Sequence, residues 1–182
     1  FEITLASFIV LSLGTILIFF GRKHDKNIQK REGYIIVSLG WIIMTVTGML
    51  PFILTNSMID ISSTFFETMS GYTATGATIL SEIESLPSGI LFWRSMTHWI
   101  GGMGIIVLAV AVLPLLGIGG IQLFSAEAPG PNNDKLHPRI TDTAKRLWFI
   151  YVSFTILEAI LLSFAGMSIF DAVNHAMSTM AS

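Results

Sequence analysis

The run Thr73-Ala74-Thr75-Gly76-Ala77-Thr78 has small side chains throughout and no helical periodicity. Short side chains let other atoms reach the main chain, and a ring of backbone carbonyls can replace the water shell of a cation. Gly76 tolerates backbone geometry that other residues resist, which would keep successive carbonyls turned toward one axis. The chemistry on offer is cation coordination by main-chain oxygen, with no covalent step.

Other residues suggest other chemistry. His137 and Asp142 have the H-x4-D spacing of membrane acyltransferases, in which the imidazole acts as general base on a hydroxyl. The chain has four His and twelve acids, so such a pair arises easily by chance, and Pro138 and Arg139 fit a loop with Thr141 or Asp142 near a helix start. This enzyme reading is the runner-up, and His137→Ala separates it from transport. No two histidines have a ligand-pair spacing, His24 and His137 fall in solvated loops, and His98 reads as a packed helix residue. Gly101, Gly102 and Gly104 are followed by no phosphate-binding lysine, so close helix packing or a bend is expected there. Arg94 is expected to pair with an acid such as Glu67 or to reach the interface. Glu158 sits inside an apolar run, either in a functional role or facing a neighbouring helix or a watery crevice.

The elements that must hold these residues follow from composition. Of 182 residues, 52% are hydrophobic, 12% charged and none is cysteine, whereas a soluble domain has about a quarter charged. A disulfide scaffold, a thiolate metal site and a cysteine nucleophile are excluded. A helix needs about 20 mostly apolar residues to cross a bilayer. Four stretches qualify: Ile3–Phe20, Tyr34–Leu54 with Pro51 marking its stop, Gly89–Leu116, and Leu147–Met167. Arg22, Lys23, Lys26, Lys30 and Arg31 separate the first two, and Lys135, Arg139, Lys145 and Arg146 the last two. The segment Thr55–Ser88 has no Lys or Arg but carries Asp60, Glu67, Glu82 and Glu84. Basic loops stay cytoplasmic, which places residues 21–33 and 120–146 inside and 55–88 outside. Flanking spans make lipid or a cytosolic partner, not nucleic acid, the contact for those basic loops.

Within the outer segment, Ser62–Tyr72 reads as a short re-entrant helix. Thr64 with Glu67 fits a capping box, Ser63 is the alternative cap, and Gly71 suits a left-handed stop. The order is then span, short helix, small-residue strand, span. Non-helical backbone at membrane depth is tolerated only when buried in protein or lining a watery cavity. A second copy is visible: Met177-Ser178 echoes Met69-Ser70 at a shift of 108, and Asp171 falls on Ser63 as a further cap. Phe1 is not Met, no basic region precedes the first apolar run, and the second copy stops at Ser182. The expectation is an internal piece of a longer protein, without a signal peptide.

At this point the chain resembles the Trk/Ktr/HKT superfamily of potassium transporters, and within it the TrkH-like membrane subunits. Three stretches carry the likeness: Phe65–Gly71 with Thr75–Thr78; Trp93–Thr97 followed by Gly101–Ile106; and Ala126–Pro131 leading to Lys135, Leu136, Pro138 and Arg139. The resemblance implies an all-α integral membrane fold of span–pore helix–filter–span repeats, potassium-channel-like, with four repeats around one pore. It maps residues 1–33 to a preceding helix and basic loop, 34–119 to the first repeat, 120–146 to a cytoplasmic loop and 147–182 to the start of the second. It assigns Ala74, Thr75, Gly76 and Ala77 to the first filter strand, and Ala181 with Ser182, where threonine is common, to the start of the second. It implies K+ uptake across a bacterial cytoplasmic membrane, K+ as the ion with Na+ as the alternative, and no covalent cofactor. A homodimer and a cytosolic ring of nucleotide-binding subunits are the implied partners. A simple tetrameric potassium channel is the remaining alternative, and the second copy argues against it.

Overall fold

The computed structural model describes residues 2–21, 30–116 and 136–181, and every regular element among them is helical. In chain order these are α1 (Glu2–Gly21), α2 (Lys30–Gly48), α3 (Leu50–Leu54), α4 (Ile61–Tyr72), a 3-10 turn (Ile83–Ser85), α5 (Ser88–Leu116), α6 (Leu136–Phe164) and α7 (Ile169–Ala181). The basic loop at 22–29, the segment 117–135 with its Ala126–Pro131 motif, and Ser182 lie outside the described residues. Among the described residues, Val37–Leu54 and Asp142–Phe164 are long and apolar enough to cross a bilayer, with mean hydropathies of 1.9 and 2.0. Large aromatics are exposed on α1 and α6: Phe8, Phe149 and Phe164 are each about 70% exposed or more. Such surface requires lipid or further protein against it.

The chain divides into two compact units, Phe1–His98 and Trp99–Ser182. In the first, α3 packs on α1 and α4 packs on α2. The second span was expected to run unbroken to a stop at Pro51. The helical path continues to Leu54: Met49 keeps right-handed helical dihedrals (φ −69°, ψ −26°), and the interruption there marks the one place where Pro51 supplies no N–H to the ladder. The Trp93 indole donates to the Gly48 carbonyl at that interruption (3.0 Å). A Cβ on Gly48 would lie 2.6 Å from the Tyr72 ring and 2.9 Å from the Thr68 methyl, so glycine sets how closely α4 approaches α2. Phe52, Met58 and Ile90 form a small apolar core, with Leu80, Leu86 and Trp93 packed against it. The return segment from Leu80 to Ser88 is therefore anchored rather than merely polar.

The short helix starts and stops elsewhere than the sequence suggested. Its N-cap is Asp60, one turn before Thr64: the carboxylate accepts from the Ser63 N–H (2.7 Å) and the Ser63 hydroxyl (2.6 Å). Gly71 is an ordinary helical residue, and its missing Cβ makes room for the Thr97 hydroxyl, which would stand 2.5 Å away. The stop is a Schellman closure with Ala74 as the left-handed residue, φ 53°. There Ala74 N–H donates to the Gly71 carbonyl (2.9 Å) and Thr75 N–H to that of Ser70 (3.0 Å). The same closure ends α3 at Asn56 and α6 at Gly166.

The Ser63 hydroxyl and N–H hold the Asp60 carboxyl below its ordinary value of 3.8. A depressed carboxyl adds stability above its unfolded pKa and loses it as pH falls through the lower folded one. Acid fraying of α4 is therefore expected only below the usual carboxylate range. Asp60→Asn should keep the cap and abolish the acid step, whereas Asp60→Ala should lower thermal stability at every pH; melting curves across acid pH distinguish them.

In the second unit α7 packs on α6. The Trp99 indole donates to Thr155 (3.1 Å), and the Tyr151 hydroxyl donates to the Trp99 carbonyl (3.1 Å). Gly102 is the close approach the sequence suggested: a Cβ there would meet the Tyr151 hydroxyl at 2.8 Å and the Ala181 Cα at 2.9 Å. Helix α6 begins at Leu136, so Pro138 and Arg139 occupy its first turns rather than a loop, as proline's fixed φ allows.

Candidate functional site

Helix α4 delivers the small-residue run. Its inward face is polar and nearly water-free: Thr64, Glu67, Thr68, Ser70 and Gly71 are buried. Buried threonines on α4 satisfy themselves within the helix, Thr64 donating to the Asp60 carbonyl (2.8 Å) and Thr68 to that of Thr64 (2.7 Å). Thr97 does the same toward Arg94 on α5 (2.7 Å). Two side chains on that face are left to act outward. They are Glu67 and Ser70, three residues apart and so neighbours on the helix surface.

Glu67 is the hub. Arg94 Nε donates to Oε1 at 2.7 Å, with the carboxylate side chain 1% exposed and the guanidinium 14%. The Thr78 hydroxyl lies 3.0 and 2.9 Å from the two carboxylate oxygens, and the Ile79 N–H donates to Oε2 at 3.1 Å. One buried anion thus ties α4, the far end of the run and α5 together. Of the partners weighed for Arg94, Glu67 is the one it meets. His98 is buried beside Gly71, as a packed helix residue.

Between its two ends the run stays exposed from Thr75 to Thr78. Positive φ occurs at Ala74 (53°) and Gly76 (74°), with Thr75 and Ala77 outside that region. In an ordinary strand successive residues face opposite ways; alternating hand instead swings successive carbonyls toward one side. Among the described residues the carbonyls of Ala74, Thr75 and Gly76 accept no hydrogen bond, while that of Ala77 accepts from the Ser70 hydroxyl at 2.6 Å. The Thr73 and Thr75 hydroxyls share a hydrogen bond of 2.8 Å. The segment offers unpaired carbonyl oxygen at one end and is pinned at the other.

Ala181 is the last residue of α7, a helical residue packed against Gly102, and Ser182 lies outside the described residues. Asp171, expected as a cap, is the third helical residue of α7. The cap is Ser168, whose hydroxyl donates to Asp171 Oδ2 (2.7 Å) and accepts from the Asp171 N–H (3.1 Å). Asp142 is exposed on α6, and the His137 side chain lies outside the described residues. Glu158 is half-buried on α6 and has no ion pair or hydrogen bond among the described residues. Ser70 and Thr78 were missed as site residues, although the three-residue spacing of Ser70 from Glu67 was available as a signal.

A family model for TrkH, described as a cation transport protein, matches residues 1–182. The Trk system potassium uptake protein TrkH of Salmonella typhimurium is 52% identical over 176 residues, covering 96% of this chain and 36% of that protein. TrkH of Escherichia coli K12 is 51% identical over the same coverage. The Trk system potassium uptake protein TrkG of that strain is 42% identical, with 87% and 33% covered. Among solved structures, the potassium transporter TrkH from Vibrio parahaemolyticus matches with a TM-score of 0.81 and 42% identity, covering 98% of this chain and 35% of that one. The chain thus spans little more than a third of the length of the TrkH relatives it matches.

Proposed function

Because the chain belongs to the TrkH family of cation transport proteins, we propose that the whole protein takes up K+ through a pore whose first filter strand is Ala74–Ala77. What carries the reading is the alternating backbone hand at Ala74 and Gly76, with carbonyls free of internal partners. K+ sheds water and takes carbonyl oxygen in its place, so the protein supplies fixed dipoles and no covalent chemistry. The names of the relatives, Trk system potassium uptake proteins, support K+ as the cargo. Chemistry at His137 and Asp142 has no comparable support.

In this reading the protein is a multi-pass protein of a bacterial cytoplasmic membrane. Residues 21–33 and 120–146 face the cytoplasm and 55–88 face outward, a placement that the distribution of Lys and Arg supports. Ala181 and Ser182 lead into a second filter strand. A homodimer with a cytosolic nucleotide-binding ring is the assembly, resting on family resemblance alone.

Ala77 stands where potassium channels carry a bulky aromatic, so the filter lacks that buttress and K+ is favoured over Na+ only moderately. Flux of K+ and Na+ through the full-length protein in liposomes tests this. Measurable K+ flux with a modest K+ preference is the expected result; absence of K+ flux overturns the function, and strict K+ discrimination overturns the account of the filter.

A further inference from the structure

Two side chains of α4 hold the run, and they differ in what they hold. Glu67 grips the side chain of Thr78 and the N–H of Ile79, neither of them a carbonyl. Ser70 grips a carbonyl, that of Ala77, one of the four oxygens the filter reading counts as ion ligands. The Ser70 hydroxyl is buried, and 2.6 Å is at the short end for an O–H···O bond. A carbonyl that accepts such a bond has less lone-pair density for a cation, and its oxygen is tethered to the helix.

The second copy sharpens the point. The caps fix its register: Ser168 lies 108 residues after Asp60 and Asp171 lies 108 after Ser63. The two residue types are exchanged, yet the same hydroxyl–carboxylate bond forms, at 2.6 Å in one copy and 2.7 Å in the other. At that offset Glu67 becomes His175, whereas Ser70 becomes Ser178. The glutamate is not repeated at that offset. The serine recurs.

We propose that Ser70 is a specificity-determining residue of the filter. By donating to the Ala77 carbonyl it withholds that oxygen from the ion, leaving Ala74, Thr75 and Gly76 as the competent ligands and relaxing the preference for K+. The inference rests on the reading of Ala74–Ala77 as a filter strand. Ser70→Ala frees the oxygen, so the full-length protein should show an apparent KM for K+ lowered about three- to tenfold and a K+ over Na+ flux ratio raised by a similar factor, the worth of one net hydrogen bond. Ser70→Thr keeps the hydroxyl and should return both to the parent values.

A role limited to holding the segment in shape predicts otherwise: K+ and Na+ flux falling together with the ratio unchanged. That outcome, or a Ser70→Ala protein identical to the parent in KM and ratio, overturns the proposal. Gly76→Ser measured alongside separates the two levels. Loss of uptake there with no effect at Ser70 removes only this inference, whereas normal uptake in Gly76→Ser removes the filter reading beneath it.

Discussion

Gly76→Ser should cut K+ uptake by roughly tenfold or more while leaving the amount of membrane-inserted protein within about twofold. Gly76 is held at φ 74°, a region that costs a residue with a Cβ about 1–3 kcal/mol, and each 1.4 kcal/mol is about tenfold in population. The neighbouring left-handed residue, Ala74, already carries such a cost, repaid by the Schellman bonds that close α4. No such bond holds Gly76, so serine there relaxes by turning its peptide plane, which moves a carbonyl out of line. The fold is spared because the ends of the run stay tied, by Ser70 O···H–N Thr75 on one side and Glu67 on the other. Gly40→Ser is the control: a Cβ there meets nothing within 4 Å, and transport should be unchanged. Growth of a transporter-deficient strain at low K+, with quantified expression, reads both. Normal growth with Gly76→Ser would refute the filter assignment.

How much of this was legible in the sequence depends on what each residue needed from its neighbours. The long helices, the short helix and the small-residue run follow from the lengths of the apolar runs and the sizes of the side chains between them, and Glu67 as one of two outcomes for Arg94 from the cost of leaving either charge alone in an apolar setting. The helix ends did not follow. Asp60, Ser63 and Thr64 are all competent caps; Asp60 takes the position because its carboxylate accepts from both the N–H and the hydroxyl of Ser63, while Thr64 spends its hydroxyl on the Asp60 carbonyl. The stop was sought at Gly71 because glycine bears positive φ most easily. Tertiary contact claimed that glycine for the approach of Thr97, and an alanine took the left-handed position instead. Pro51 was legible: it supplies no N–H to the ladder, and the helix ends within one turn of it, at Leu54. In the second copy the residue types at the cap are exchanged, so a search for matching letters finds Asp171 against Ser63 and misreads both as caps. The hydrogen bond is conserved between the copies where the letters are not.

Arg94→Ala should be the most damaging single change to stability, costing about 3–5 kcal/mol, because it leaves a buried carboxylate without its counter-charge. Glu67→Gln should cost less. The amide keeps an oxygen for Thr78 and Ile79, and the guanidinium, 14% exposed against 1% for the carboxylate, has a partial route to water. Stability alone cannot reveal whether the pair positions the filter, since a misfolded protein transports nothing. The double replacement Glu67→Met with Arg94→Met separates the effects. Exchanging a buried ion pair for apolar side chains of similar volume is often neutral or stabilising, so the double variant should recover most of the thermal stability lost in Arg94→Ala, with a coupling well beyond additivity. Transport should not return with it. The Thr78 hydroxyl and the Ile79 N–H would still lack their acceptor, and the far end of the run would hang on the Ser70–Ala77 bond alone, too little to keep its carbonyls in register. If the stable double variant carries K+ at the parent rate, the carboxylate serves packing alone, and the positioning of the filter rests on Ser70 and the closure at Ala74.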